Sequence, residues 1–391
     1  GYYGGQLILS SEVDNFPGFV ETMTGFEIME KMRRQAEARG VEIVDDIITE
    51  VDFFDHPFTC SSAAGRRLIT MRGRGQIMQG VIEEVLEEVK RVVTGKDEVI
   101  LKVMLAITAG GHILIDDIPG VGKTTMAMGF AKAMGCSCNR IQFTPDVMPS
   151  DIMGFSAYNP KTQEFEYRSG AAMCNLLLAD EINRTSSKTQ AALLEVMEEK
   201  RVSVDGQTRN LPRPFTVIAT QNPVGSIGTM QLPESQLDRF MIRLSMGYPD
   251  REQEINILKA RAVGNPLALV HEVADEQRIL ELQSQSDRVY IHDAIYDYIV
   301  RLIQSTRENE AVELGVSPRG TLAVAAMAKA HALYEDRDYC VPADVKAVFA
   351  DVVCHRLVLS AKAKMDRLTD KEVVSGILER TAVPRLKKGK V

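Results

Sequence analysis

The chain has no Cys-x-x-Cys pair, no apolar run of 18 residues, no excess of positive charge and no Gly-x-Gly-x-x-Gly fingerprint behind a strand. Each absence removes a class of function. The six cysteines, at 60, 136, 138, 174, 340 and 354, include one close pair, Cys136-Ser137-Cys138. That spacing is too tight for a common zinc pair, and no matching Cys/His cluster lies nearby, so they read as reduced thiols. Without an 18-residue apolar run, or a basic-then-apolar leader at the N-terminus, the sequence predicts a soluble cytoplasmic protein that does not insert into membranes. A net charge of −8 works against binding to a phosphate backbone, so nucleic acid is not an expected partner. Lacking both a dinucleotide fingerprint and redox cysteines, the chain is not expected to carry out flavin or disulfide chemistry. What it has is length, 391 residues with 45% apolar content, enough for about two or three domains with substantial cores.

The stretch that organises the rest is residues 112–125, His-Ile-Leu-Ile-Asp-Asp-Ile-Pro-Gly-Val-Gly-Lys-Thr-Thr. It predicts a buried strand over Ile113 to Ile115, a Gly/Pro loop, and a helix opening at Lys123. Such a loop turns backbone N–H groups inward as an anion cradle, and the helix adds the positive end of its dipole. Pro119, Gly120, Val121, Gly122, Lys123, Thr124 and Thr125 are the candidate nucleotide-binding residues. Lys123 would reach the β- and γ-phosphates and the Thr124 hydroxyl would ligate Mg²⁺. The usual pattern begins with Gly, where this chain has Asp117.

Residues 175–181, Asn-Leu-Leu-Leu-Ala-Asp-Glu, form an apolar run ending in two carboxylates, as expected of a strand buried on both faces of a parallel sheet. Ligands gather at the C-terminal ends of such strands. Asp180 would supply oxygen to Mg²⁺. Glu181, pointing the other way along the strand, would polarise a water for attack on the γ-phosphate. A further buried strand, Phe215 to Asn222, ends in amides and places Asn222 against the γ-phosphate or the attacking water. In Leu232–Phe240, Arg239 follows a short helix and is the candidate for an arginine given to a neighbouring subunit's nucleotide. Arg184 competes for that role. Ser317-Pro318-Arg319 opens an Ala-rich helix, where a cation is unfavourable unless an anion meets it, which suggests a phosphate contact for Arg319.

Between these motifs, the sequence predicts helices from Val81 to the stop at Gly95 and from Asp97 to Thr108. A strand is expected at Ile141–Thr144, hairpins around residues 158–167 and 201–209, and a capped helix over Val345–Leu359. Residues 72–75 read as a basic linker and Lys387–Lys390 as a frayed end.

The first seventy residues stand apart. A helix is expected from Thr24 to Arg39, stopped at Gly40, followed by strands at Val41–Val44 and Ile47–Phe53. Gly4-Gly5-Gln6-Leu7, Val13–Phe19 and the helix ending in Gln35-Ala36-Glu37 resemble an internal piece of thioredoxin reductase over about residues 1–67. In that family the piece belongs to the FAD-binding region. A fragment of a nucleotide fold cannot bury both faces of its sheet alone. It reads as a fusion scar without function of its own, and a flavin-dependent disulfide reductase is the remote alternative.

Residues 76–380 resemble the MoxR family of AAA+ ATPases, through Asp117–Thr125, Leu177–Gln190, Leu232–Phe240 and Ser317-Pro318-Arg319. The resemblance implies an α/β P-loop core with a parallel sheet, followed by an all-α lid. It divides the chain into residues 1–70, 71–248 and 249–391. It also implies Lys123 as the Walker A lysine, Asp180 and Glu181 as Walker B, and Asn222 and Arg319 as the two sensors. Such proteins hydrolyse ATP with Mg²⁺ in rings, typically hexameric. They remodel or mature a protein client, often with a von Willebrand factor A domain protein. A nucleotide-gated binding module without productive hydrolysis is the alternative. Ala171–Cys174 departs from the family's pattern after Gly170 and puts a local contact in question.

Overall fold

The computed structural model describes residues 24–37, 48–52, 59–62, 67–69, 76–116, 120–222 and 232–384. The chain divides after Met71 into two compact units. In the first, helix α1 spans Gly25–Glu37. Thr24 caps it: its hydroxyl accepts from the Glu27 N–H at 3.2 Å, while the Glu27 carboxylate accepts from the Thr24 N–H at 2.9 Å. Strands β1 (Ile48–Asp52), β2 (Thr59–Ser62) and β3 (Arg67–Ile69) form an antiparallel sheet in that order. The expected stop at Gly40, the strand at Val41–Val44, the linker at 72–75 and the end at Lys387–Lys390 lie outside the described residues.

The second unit opens with α2 (Gln76–Lys90) and α3 (Asp97–Thr108), the latter with Asp97 and Glu98 at the positive end of its dipole. Strand β4 (Ile113–Asp116) leads to α4 (Lys123–Ala133). Then follow β5 (Cys138–Gln142), α5 (Pro149–Met153), the hairpin β6 (Phe155–Asn159) with β7 (Glu164–Arg168), β8 (Leu176–Asp180) and α6 (Ser187–Glu199). A second hairpin, β9 (Arg201–Val204) with β10 (Gln207–Asn210), turns through Asp205-Gly206, both at positive φ. After it come β11 (Thr216–Gln221), α7 (Glu234–Leu237) and β12 (Ile242–Leu244).

Five of these strands make a parallel sheet in the order β12-β4-β11-β8-β5. Side chains alternate across it with period two. Leu176, Leu178, Ile113, Ile115 and Ile218 enter one core with α2, α3 and α4. Leu177, Ala179, Leu114, Val217 and Ala219 enter the other with α6. Coverage on both faces is why these strands read as continuous apolar runs. Strand β5 lies earlier than its expected Ile141–Thr144. Its ladder runs from Cys138 opposite Leu176 to Gln142 opposite Asp180, and stops where β8 stops.

Beyond Pro249 the chain is mostly helical: α8 (Arg251–Val263), α9 (Glu276–Arg288), α10 (Asp293–Arg307), α11 (Pro318–Tyr334), α12 (Pro342–Val353), α13 (Ala361–Met365) and α14 (Asp370–Arg380). A short antiparallel ribbon, β13 (Val312–Leu314) with β14 (Val358–Leu359), is set among them. The helix expected over Val345–Leu359 therefore ends at Val353. There the chain turns inward, so that His355 and Arg356 reach the carbonyls of Phe240 and Met241.

Candidate active site

Gly120 and Gly122 sit at φ 89° and 98°, and a Cβ built on either would project into open space. The backbone there is in the left-handed region that favours glycine, and the space before it is open to a ligand. Gly122 caps α4, so Lys123 and Thr124 start the helix at the mouth of a cavity of about 350 Å³. Gly120, Gly122, Lys123, Thr124, Thr125, Asp180, Glu181 and Asn222 all line it, with Arg140 and Gln142. Val121 is half-buried beside it, and Pro119 lies outside the described residues.

Strand alternation alone would send Asp180 and Glu181 to opposite sides. The structure corrects this expectation. Glu181 adopts φ 59°, ψ 47° and ends the strand, and this left-handed turn brings its carboxylate back into the cavity with Asp180. A non-glycine residue in that region is uncommon and costs on the order of 1 kcal/mol or more. Fully buried Thr220 supports the turn. Its hydroxyl donates to Asp180 Oδ1 at 2.6 Å and accepts from the Glu181 N–H at 2.9 Å. Asn222 is anchored through its backbone, its N–H donating to Asn183 Oδ1 at 3.3 Å and its carbonyl accepting from Asn183 Nδ2 at 3.1 Å.

Both carboxylates are met by arginines from this chain. Arg140 lies 2.8 Å from Asp180, and Arg184 lies 2.8 Å from Glu181. The donor set fits Mg²⁺: one carboxylate and one hydroxyl, both hard oxygen ligands, face a cradle open to phosphate oxygens that would complete the shell. Among the described residues no cluster of three or more His, Cys, Asp or Glu forms a separate metal site.

Arg239 and Arg319 are not in this cavity. They line another, of about 310 Å³, with Glu198, Asp238 and Arg356. Glu198 pairs with both, at 3.3 Å to Arg239 and 2.5 Å to Arg319. Arg319 stands in the first turn of α11 and Glu198 in the last turn of α6, so each charge is at the unfavourable end of its own helix dipole. The anion that meets the cation at Arg319 is therefore a carboxylate, not a phosphate held by the same chain.

His112, just before the phosphate-loop strand, lines the arginine-bearing cavity. The Val217 N–H donates to its Nδ1 at 3.0 Å, so Nε2 carries the proton and donates to the Met197 carbonyl at 3.0 Å. Burial pushes its pKa down to about 4, against a smaller opposing effect of the Met197 bond.

Thr220, Arg140 and His112 were not singled out in the sequence. Thr220 had one signal, a hydroxyl in an apolar strand at the position that registers beside Asp180.

Residues 112–242 match the family described as "ATPase family associated with various cellular activities (AAA)", and residues 304–377 match its lid domain. YeaC of Bacillus subtilis, an uncharacterised protein, is 45% identical over 304 residues, covering 78% of this chain and 95% of YeaC. The chaperone MoxR1 of Mycobacterium tuberculosis is 39% identical, with 78% of this chain and 83% of MoxR1 covered. A crystal structure from Cytophaga hutchinsonii, of a protein named as a candidate ATPase, superposes with a TM-score of 0.75 at 35% identity. It covers 80% of this chain and 97% of that one. A separate match of 44% identity over 61 residues relates 16% of the chain to 20% of thioredoxin reductase from Rickettsia bellii. No helix among the described residues is long and apolar enough to cross a membrane.

Proposed function

The chain belongs to the MoxR family of AAA+ ATPases, and we propose that it hydrolyses ATP with Mg²⁺ at a site shared between copies in a ring, driving remodelling of a protein client. The observation that carries this reading is the meeting of Lys123, Thr124, Asp180, Glu181 and Asn222 around one glycine-lined cavity. In it, the loop N–H groups and Lys123 bind the β- and γ-phosphates. Thr124 and Asp180 would hold Mg²⁺, which would offset charge on the phosphate oxygens. Glu181 accepts the proton of a water aimed at the γ-phosphorus, Asn222 orients that water, and ADP and phosphate leave. Arg140 and Arg184 release the two carboxylates when the nucleotide arrives.

Arg239 and Arg319 line a different cavity, which favours a role at the nucleotide of the next copy, and favours Arg239 over Arg184, which sits beside its own chain's Glu181. A head-to-tail interface gives a ring when its rotation closes, and a closed hexamer is the reading. The name of MoxR1 supports a chaperone-like role. A von Willebrand factor A domain protein as partner, maturation of a protein complex as outcome and the cytoplasm as location complete the proposal. A core over residues 71–248 and a lid over 249–391 divide the work, with residues 1–70 taking no part.

The Arg184–Glu181 pair favours one second reading, a nucleotide-gated module that binds without turnover. Glu181→Gln separates the two. The proposed hydrolase keeps its ATP affinity in this variant and loses about 10²–10⁴ in turnover. Hydrolysis at the parent rate would show that Glu181 is not the base.

A further inference from the structure

Asp238 lies between the helical region and the two arginines. It caps the C-terminus of α7, directly before Arg239. Its Oδ1 accepts from Arg356 Nε at 2.8 Å, and Arg356 also donates to the main-chain carbonyls of Asp238, Phe240 and Met241 at 3.1, 2.7 and 3.1 Å. The Arg356 side chain is 2% exposed, and four of its bonds go to the segment that carries Arg239, with the Val352 carbonyl and His355 Nε2 as further partners. The other oxygen, Oδ2, accepts from Ser317 Oγ at 2.8 Å. That same hydroxyl caps α11 by accepting from the Gly320 N–H, and Arg319 is the second residue of this helix. One carboxylate thus fixes both the loop bearing Arg239 and the helix start bearing Arg319. The two arginines then converge on Glu198 although they come from the sheet region and the helical region, respectively.

Resting on the shared-site reading above, we propose that Asp238 is a positioning residue for catalysis in the neighbouring copy: it presets Arg239 and Arg319 as one unit that engages that copy's nucleotide. Asp238 does not line the Lys123 cavity of its own chain, so its effect falls on turnover next door and not on nucleotide binding at home. A carboxylate that served only to neutralise Arg356 would have no need of its second bond to the cap of α11.

The test uses the full chain. Asp238→Asn keeps the shape and removes the charge. Its affinity for a fluorescent ATP analogue with Mg²⁺ stays at the parent value, while kcat falls by roughly 100-fold, the scale of a misplaced catalytic group. Mixing it with Lys123→Ala chains, themselves silent, restores turnover, because roughly one interface in four then joins an intact phosphate cavity to an intact arginine pair. Lys123→Ala mixed with Arg239→Ala is the control. If the control recovers activity and the Asp238→Asn mixture does not, or if Asp238→Asn weakens ATP binding as much as turnover, the proposal is wrong while the shared site stands. If the control is also silent, the shared site fails and takes the proposal with it. Should Asp238→Asn not fold, Ser317→Ala cuts the link to α11, together with that helix's cap, and leaves the Arg356–Asp238 bonds in place. It is expected to lose roughly tenfold in kcat, by the same loss of alignment, and to be rescued by the same mixture; unchanged kcat, or loss without rescue, overturns the proposal.

Discussion

The phosphate-facing cavity and the arginine-bearing face both hold ion pairs, with the roles of acid and base exchanged. In the cavity, carboxylates are met by arginines, Asp180 by Arg140 and Glu181 by Arg184. In the other cavity, Arg239 and Arg319 are met by a carboxylate, Glu198. In each of these pairs at least one member is substantially exposed: Arg140 at 51%, Arg184 at 44%, and Arg319 and Glu198 at 44% and 42%. Such pairs contribute about 1 kcal/mol or less and exchange readily for a stronger ligand. The Arg356–Asp238 pair is different, since its guanidinium is buried, and breaking it would leave a buried charge without a counter-ion. The contrast separates what can be exchanged from what is fixed. Under the proposed shared site, each face would be half of a site, with a provisional counter-ion standing where the other half would arrive.

Removing one half tests the comparison most severely. Arg239→Ala should lose about 10³ in turnover, the lower end of what a supplied arginine contributes to phosphoryl transfer, with ATP binding intact. Steady-state hydrolysis beside equilibrium binding checks it, and equal losses in both would place Arg239 at its own chain's nucleotide.

A smaller effect should come from acid, acting on a histidine that lines the arginine-bearing cavity. His112 is neutral in the folded chain, with its pKa depressed from 6.5 to about 4 and Lys200 adding to the depression that burial causes. His355 is fully buried and shifted the same way. A folded pKa below the unfolded one means that protons are taken up on unfolding. The stabilisation is complete above about pH 6.5 and is lost as pH falls toward 4, with His112 alone accounting for about 3 kcal/mol at the lower limit. Urea midpoints measured from pH 7 to pH 5 should fall accordingly; a flat profile would mean that His112 is solvated or charged in the native state.

Much of the sheet and one face of the site were legible in the sequence because their signals are local. An apolar run ending in acid marks β8, glycine spacing marks the phosphate loop, and Ser-Pro marks the start of α11. What was not legible depends on register and on distant partners. The turn at Glu181 cannot be seen from strand alternation, since it needs the Thr220 hydroxyl from another strand. Arg319 showed that it wanted an anion, but not which one: Glu198 lies far earlier in the chain and reaches it only through packing of the helical region. The end of α12 was missed for a similar reason, because Arg356 turns toward carbonyls more than a hundred residues away in sequence.

That a complete site needs two copies is most directly tested by hydrolysis per chain as a function of protein concentration, with light scattering on the same samples. Specific activity should fall toward zero as the protein dissociates on dilution, while binding of a fluorescent ATP analogue persists in single chains. Constant specific activity down to concentrations where only single chains remain would contradict a shared site.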